Sequence, residues 1–555
     1  MSKKQHSATI FIPAMGSCHH IPKKFVRFLD GKPLLSYSVQ VSKQVALAEN
    51  VVVLSDDEEI ELLARRLGVR SVLVAKAERF PRRFGDTITL ELLHELESKN
   101  KSAFDFVVWL GPSSPLLRER DLREAIEHLD AQLNVDAVFS VSEEIQRSWV
   151  YEKTYRPSFH EIASSGATGS MHKETGAFFV MKRSAIGERG YIGNVGKPFY
   201  LHQTHAVEIN TFNDWWVAEK LLRRKQILFV VAGYPALGMG HVYRSLMLAQ
   251  ELNDHEVQFL CTKESSSAYD YISESLFPTS IQKKDESLLD AVLGCSPDLV
   301  INDILDTSSE YIRPLKEKHI AVINFEDEGP GAESADIVIN ALYQESKSPN
   351  MLVGHEYFSL RSEFFTAPAY VLRESVTNVL VSFGGTDNNN LTLRCLRALL
   401  PLAPSRQFTI TVLTGPGYVH RDELSSYIAG LDENDKERID YVTKGTKKIS
   451  EYMVNSDLVM TSAGRTVYEL AWLRVPAIVI AANDREMKHM FAKQAGMIFL
   501  GLHSDVSDGV LARRIVEALD SSSLRKNISD GLKKYDFSKG KANILTKVVQ
   551  CLEKL

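Results

Sequence analysis

The feature that most constrains this fold is an apolar run at residues 227–232 that leads into Gly238-Met239-Gly240-His241-Val242-Tyr243-Arg244. A short apolar run bounded by a glycine-rich turn predicts a buried strand. Val242, Leu246, Ala249 and Leu252 then recur near the helical period, so a helix follows. A strand that turns through glycines into a helix is the building unit of a parallel α/β layer. Glycines let the backbone approach a ligand closely, and the free amides of a helix start favour phosphate. His241 stands at that junction, so the first expectation is a sugar-nucleotide site with a histidine beside the diphosphate.

The same alternation runs along the whole chain. Strand patterns at 8–13, 50–55, 104–110, 136–141 and 176–181 are interleaved with helix patterns at 33–46, 57–67, 121–129 and 213–224. They predict a mostly parallel sheet with helices on both faces. Residues 149–175 break the rhythm and read as an inserted loop region. After Arg223-Arg224-Lys225 the pattern restarts with strands at 227–232, 298–301, 320–324 and 337–340. It breaks near 367–376 and resumes with strands at 378–383, 408–413, 458–461 and 477–481. The expected domains are 1–225, 226–372 and 373–555, in line with the roughly three or four that 555 residues suggest. The last two are α/β lobes of similar size, with a ligand cleft expected at the carboxyl ends of their strands.

Composition narrows the function. A net charge of −6 with no long basic run argues against a general nucleic-acid binder. No apolar run approaches the roughly 20 residues of a bilayer span. Residues 1–9 lack the apolar core of a signal peptide. The five cysteines, Cys18, Cys261, Cys295, Cys395 and Cys551, have no CxxC spacing, which fits reduced thiols of a cytoplasmic protein. Cys18-His19-His20 has no second Cys/His pair at metal-site spacing and is read as loop side chains without a metal.

Six segments of the first third share an order with a known family. They are Ile12-Pro13-Ala14, Ile21-Pro22-Lys23-Lys24, Leu29-Asp30-Gly31-Lys32-Pro33-Leu34, Ser55-Asp56-Asp57-Glu58-Glu59-Ile60, Gly111-Pro112-Ser113-Ser114-Pro115-Leu116 and Gly176-Ala177-Phe178. Together they resemble the acylneuraminate cytidylyltransferases, the CMP-sialic acid synthetases and their relatives. The resemblance implies a Rossmann-like, GT-A-type nucleotidyltransferase domain acting on CTP and a nonulosonic acid, with Mg2+ as cofactor. It places Lys23, Lys24 and Ser114 near phosphate and makes Glu208 a metal ligand. The sequence also departs from the family. Met15 stands in place of an arginine, His19 of a lysine, Gly111 of a glutamine, Thr175 of an asparagine and Asn210 of a second carboxylate. Nucleotidyl transfer needs fixed cations and Mg2+ around the growing charge. The expectation is therefore a cytidylyltransferase fold with reduced or lost activity, and the alternative is an active synthetase.

The rest of the chain carries GxGHxxR at Gly238 to Arg244, the turn Phe383-Gly384-Gly385-Thr386-Asp387, Ser462-Ala463-Gly464-Arg465-Thr466-Val467-Tyr468-Glu469-Leu470 and the AANDREMKH segment from Ala481 to His489. These resemble the GT-B enzymes that include the peptidoglycan GlcNAc transferase. Closer still are the UDP-sugar hydrolase of pseudaminic acid synthesis and the spore-coat polysaccharide glycosyltransferase-like proteins. The resemblance implies a UDP-sugar ligand and no required cofactor. His241 would be the base, which suits a group whose reference pKa is about 6.5. Arg244, one turn along the helix, would steer phosphate or pair with an acid. Gly238, Gly240, Gly384, Gly385, Ser462, Gly464, Arg465 and Thr466 would hold the diphosphate. Glu469 would accept the ribose hydroxyls, and Asn483 would close the nucleotide pocket. Asp303, Asp306, Glu326 and Asp327 end strands on the cleft side and are read either as sugar ligands or as solvated loop acids. Val230, Val231 and Ala232 stand where the hydrolase has Arg and Asp, so the sugar differs or stays unnamed. The expected whole is a cytoplasmic nucleotide-sugar enzyme of nonulosonic acid or surface-glycan synthesis, with a homo-oligomer left open. A bifunctional enzyme with both halves active and a non-catalytic nucleotide-sugar scaffold are the rival expectations.

Overall fold

The computed structural model describes the chain except residues 1–5, 17–19, 75–86, 145–148, 152–154, 158–170, 189, 235–236, 416, 443–447 and 555. Two compact units emerge, Met1–Arg224 and Lys225–Leu555.

In the first unit a seven-stranded sheet runs in the order Gly196–Tyr200, Ala137–Glu144, Met171–Lys182, Phe106–Leu110, Ala8–Pro13, Val51–Ser55 and Arg70–Leu73. Alternate residues of each strand face opposite layers. Ile10, Ile12, Val53 and Val108 bury in one layer, and Phe11, Val52, Leu54 and Val107 in the other. Both faces are covered, so the central strands are continuous apolar runs. Met171–Lys182 is antiparallel to both of its neighbours and is longer than its apolar core, 176–181, suggested. Its register shifts between Glu174 and Phe179. Inside that irregularity Gly176 takes φ +66°, and a Cβ on Gly111 would meet its carbonyl oxygen at 2.0 Å. The interrupted region 149–175 is more than a loop. Its described part holds an antiparallel pair, Trp149–Tyr151 with Tyr155–Pro157, and the beginning of Met171–Lys182.

The second unit contains two parallel sheets. One runs Thr279–Ile281, Glu256–Cys261, Gln226–Val231, Leu299–Asp303, Ala321–Phe325, Ile337–Asn340 and Met351–Val353. The other runs Ile439–Val442, Thr409–Leu413, Asn378–Val381, Leu458–Ser462, Ala477–Ala481 and Ile498–Leu502. In both sheets the chain builds outward from its first strand, then returns to build on the other side. The reversal opens a crevice between Gln226–Val231 and Leu299–Asp303 in one lobe, and between Asn378–Val381 and Leu458–Ser462 in the other. Such switch points are where open α/β sheets bind ligands.

The last helix, Gly540–Leu552, follows the second lobe in sequence but packs into the first. Its Ile544, Val548, Cys551 and Leu552 share a core with Ile227, Phe229 and Ile301. The helix starts against the chain ahead of the second lobe, where a Cβ on Gly540 would meet the Phe358 carbonyl oxygen at 1.9 Å. A Gly540→Ala substitution must therefore shift backbone. We expect it to lower the unfolding free energy by roughly 1–3 kcal/mol, read from urea denaturation of the full chain.

Candidate active site

His241 lies in the first turn of the helix Gly240–Ala249, and Asp303 ends the strand Leu299–Asp303. They face each other across the first lobe's switch point, with His241 Nδ1 2.5 Å from Asp303 Oδ1. A carboxylate only accepts, so Nδ1 carries the proton and Nε2 is left as the acceptor. Arg244, three residues on, occupies the same helix face. It donates from Nε to Asp303 Oδ2 at 2.8 Å and from Nη2 to Oδ1 at 2.5 Å. Its Nη1 donates to Glu326, its guanidinium stacks 4.6 Å over the Phe325 ring, and Ser245 Oγ reaches Asp303 Oδ2 at 3.2 Å.

Asp303 is fully buried, and Arg244 is 3% exposed. Burial alone would push the Asp303 carboxyl up, but Arg244 and then His241 outweigh it and hold it well below the usual carboxylate range. The same contest, again won by Arg244, leaves Glu326 at about 2. Arg244 thus pairs with two acids, one of the two roles the sequence left open. Of the four acids at the strand ends, three differ from both readings offered by the sequence, and Asp306 matches the solvated one. Asp303 and Glu326 are buried ion-pair partners. Asp327 is buried too and accepts from Thr307 Oγ1 at 2.6 Å and Asn324 Nδ2 at 2.6 Å. Asp306, by contrast, is half exposed and binds Arg485 of the second lobe at 3.1 Å.

The glycine turns of the two lobes meet across the cleft. Gly238 and Gly384 have φ of +86° and +81°, left-handed values that a side chain rarely adopts. A Cβ on Gly385 would stand 3.9 Å from the Gly238 Cα. Asp387 closes its turn by accepting from the Leu391 and Thr392 amides at 2.9 and 2.8 Å. Behind the second switch point, Ser462 ends its strand and Thr466 begins the helix Thr466–Leu473. The turn between them is partly occupied. Glu486 accepts from the Ala463 amide at 3.1 Å and the Ala482 amide at 2.8 Å, close to Gly464. Burial pushes that carboxyl up. His489 Nδ1 lies 3.0 Å from the Ala463 carbonyl. Asn483 caps the next short helix by accepting from the Glu486 amide at 3.0 Å. Glu469 is held by Arg361 Nη2 at 3.1 Å. Arg465 points across the cleft, with Nη1 3.7 Å from Glu326 Oε1, and its Cδ would lie 3.4 Å from a Cβ on Gly240.

The sequence pointed to His241 and the glycine turns but gave Asp303, Glu326, Glu486 and Arg361 no such partners. One signal was available for the first two. An arginine three residues after a helix-start histidine shares its face, and if buried it needs carboxylates, which strand ends can supply.

In the first unit, Lys24 is buried and donates to Ser113 Oγ at 2.7 Å. Lys23 sits on the surface, paired with Glu59 at 2.8 Å. Ser114 Oγ is buried with no hydrogen-bond partner among the described residues. Glu208 lines a cavity of about 620 Å3 with Glu143, Lys173, Thr175, Asn210 and Asp214. Among the described residues, no three His, Cys, Asp or Glu side chains are grouped to hold a metal ion, and no helix is long and apolar enough to cross a membrane. His20 is exposed; Cys18 and His19 lie outside the described residues.

The depressed carboxyls of Asp303 and Glu326 fix the sign of a pH dependence. Unfolded, both titrate near the ordinary value of about 4; folded, both stay ionised to lower pH. Their contribution to stability is complete above about pH 5 and is lost as pH falls toward about 2. Urea denaturation between those limits should show a shallower loss for Glu326→Gln than for the unaltered chain.

Residues 9–179 match the family model described as Cytidylyltransferase, and residues 379–544 match that of the Glycosyltransferase family 28 C-terminal domain. A Helicobacter pylori protein named Pseudaminic acid cytidylyltransferase and UDP-2,4-diacetamido-2,4,6-trideoxy-beta-L-altropyranose hydrolase is 21% identical over 86% of this chain and 89% of its own length. The CMP-N,N'-diacetyllegionaminic acid synthase of Legionella pneumophila is 26% identical over 39% of this chain and 96% of its own. The Spore coat polysaccharide biosynthesis protein SpsG of Bacillus subtilis is 24% identical over 55% of this chain and 91% of its own. The chain thus joins an N-terminal cytidylyltransferase domain to a C-terminal domain like those of glycosyltransferase family 28.

Proposed function

We propose that the second unit hydrolyses a UDP-sugar, with His241 as the general base. The observation that carries this reading is the His241–Asp303 pair, 2.5 Å apart at a switch point that faces the glycine turns of the opposite lobe. The Asp303 carboxylate fixes the tautomer and stabilises the imidazolium that forms, the division of labour known from His–Asp pairs in hydrolases. A water oxygen would attack the anomeric carbon while Nε2 takes its proton. The bond from that carbon to the diphosphate oxygen breaks, and UDP leaves with the electron pair. The Ser462–Thr466 turn and the Gly384-Gly385 turn would hold the diphosphate, with Glu469 on the ribose and Asn483 at the pocket edge. The Helicobacter pylori relative, which carries a hydrolase in its name and spans most of this chain, supports hydrolysis over transfer.

For the first unit the reading is a CTP-dependent nonulosonic acid cytidylyltransferase with weakened transfer, in a cytoplasmic enzyme of nonulosonic acid or surface-glycan synthesis. Lys24 and Ser114 would touch phosphate, while Lys23 is held by Glu59. Gly111 is confined by the Gly176 carbonyl, so a longer side chain cannot enter there. Mg2+ would meet one carboxylate, Glu208, with the neutral Asn210 beside it. A Mg2+ site uses one or two carboxylates together with substrate phosphates, so Glu208 would hold the ion together with the phosphates of CTP, where it would offset the charge growing on the leaving pyrophosphate; no step is assigned through the ion.

Two assays on the full chain test these readings. With a panel of UDP-sugars, UDP should appear without any acceptor, and His241→Ala should cut the rate on the order of 10²–10⁴-fold. Release that needs an acceptor makes the unit a transferase, and an unchanged His241→Ala rate removes the proposed base. With CTP, Mg2+ and a nonulosonic acid, pyrophosphate release should run on the order of 10²-fold below that of the Legionella pneumophila relative. Turnover at the relative's rate that depends on Glu208 would restore a fully active synthetase.

A further inference from the structure

The acid that holds Arg244 has a second partner that the proposed hydrolysis does not use. Five side chains run from one lobe to the other with alternating charge: His241, Asp303, Arg244, Glu326 and Arg465. The first four are within 3.0 Å of their neighbours in the row. The last joint, Arg465 Nη1 to Glu326 Oε1, is looser at 3.7 Å. Arg465 comes from the turn between Leu458–Ser462 and Thr466–Leu473, in the lobe opposite His241. It also donates to the Ser359 carbonyl at 3.3 Å and lies 4.6 Å over the Phe358 ring. Its Cδ would stand 3.4 Å from a Cβ placed on Gly240, the residue before His241.

We infer that Arg465 and Glu326 are positioning residues that couple diphosphate binding on the second lobe to the setting of His241 on the first. This inference rests on the UDP-sugar reading of the site. The two arginines and two carboxylates of the row balance in charge. A diphosphate entering at Ser462–Thr466 brings negative charge to Arg465 and competes with Glu326 for it. The 3.7 Å joint yields first, because it is the longest in the row. Glu326, left with Arg244 alone, draws that guanidinium toward itself. Arg244 then holds Asp303 less tightly, and Asp303 is freer to stabilise a protonated His241.

The backbone gives an independent sign that this corner is built for more than packing. Glu326 has φ +52° and Leu305 φ +67°. Side-chain-bearing residues held in the left-handed region are strained and cluster at sites that use the constraint. Both follow the strands that carry the row.

Reciprocity gives the test. If Glu326 and the diphosphate compete for Arg465, removing the Glu326 charge must tighten UDP binding while it disturbs the base. On the full-length protein, UDP affinity is measured by calorimetry and turnover on the UDP-sugar panel. Glu326→Gln should bind UDP roughly 5-fold or more tightly and lose kcat on the order of 10²-fold without a rise in KM. Arg465→Met should weaken UDP by roughly 5-fold or more, and adding Glu326→Gln to it should no longer raise affinity. Weaker UDP binding by Glu326→Gln with a lower melting temperature would reduce it to a packing residue and overturn the inference. An affinity gain that survives in the double variant would overturn it too. If UDP binding follows the expected pattern while no UDP-sugar is turned over, the coupling stands and the hydrolase reading falls. If UDP does not bind at all, both fall.

Discussion

The arrangement depends on one buried carboxylate. Asp303 has no solvent exposure and would be expensive to keep ionised without partners. His241 and Arg244 meet that cost from a single helix face, three residues apart, which is the spacing that places two side chains side by side. Arg244 in turn needs a second acid, because one carboxylate cannot satisfy all its donors, and Glu326 supplies it from the next strand. The tautomer of His241 is therefore set by a charge pattern that also ties the helix Gly240–Ala249 to two strands. Loss of Arg244 would strip Asp303 and Glu326 of their shared cation and leave buried charge poorly paired, the costly outcome for such networks.

That pattern forms only because the sheets reverse direction at their first strands. Parallel strands all end on the same side, so the loops after Gln226–Val231, Leu299–Asp303 and Ala321–Phe325 converge on one crevice. The second lobe repeats the arrangement and presents Gly384, Gly385 and the Ser462–Thr466 turn. The lobes then engage through Arg465, Arg485 and Lys488, which reach Glu326, Asp306 and Glu328. The final helix binds the chain back onto the first lobe through Ile544 and Val548.

The first unit shows a different economy. The departures from the cytidylyltransferase pattern at 111 and 175 are neighbours in space. Gly111 donates to the Ala177 carbonyl at 2.9 Å and leaves no room for a Cβ beside Gly176. Thr175 turns inward to Ser140 Oγ at 2.7 Å. A strand irregularity and a glycine thus fit each other, so both departures in sequence sit at one irregularity of the strand.

The layers were legible in the residue pattern. Apolar runs flanked by glycine turns and amphipathic helices left few alternatives to parallel α/β sheets, and the motif Gly238 to Arg244 put a histidine at a strand-to-helix junction. The less apolar strands escaped notice. Arg70–Leu73, Thr279–Ile281 and Ile439–Val442 lie at sheet edges or carry polar residues, so no long apolar run marks them. Glu256–Cys261 mixes Glu256 and Gln258 into its strand for the same effect. Which acids became partners was settled by folding alone. Asp303, Asp306, Glu326 and Asp327 look alike in sequence, as carboxylates after apolar runs. Folding buried Asp303 and Glu326 around Arg244, gave Asp327 to Thr307 and Asn324, and left Asp306 in water opposite Arg485. Burial and pairing depend on strand order and on the lobe across the cleft, and neither is written in the local pattern of any one strand.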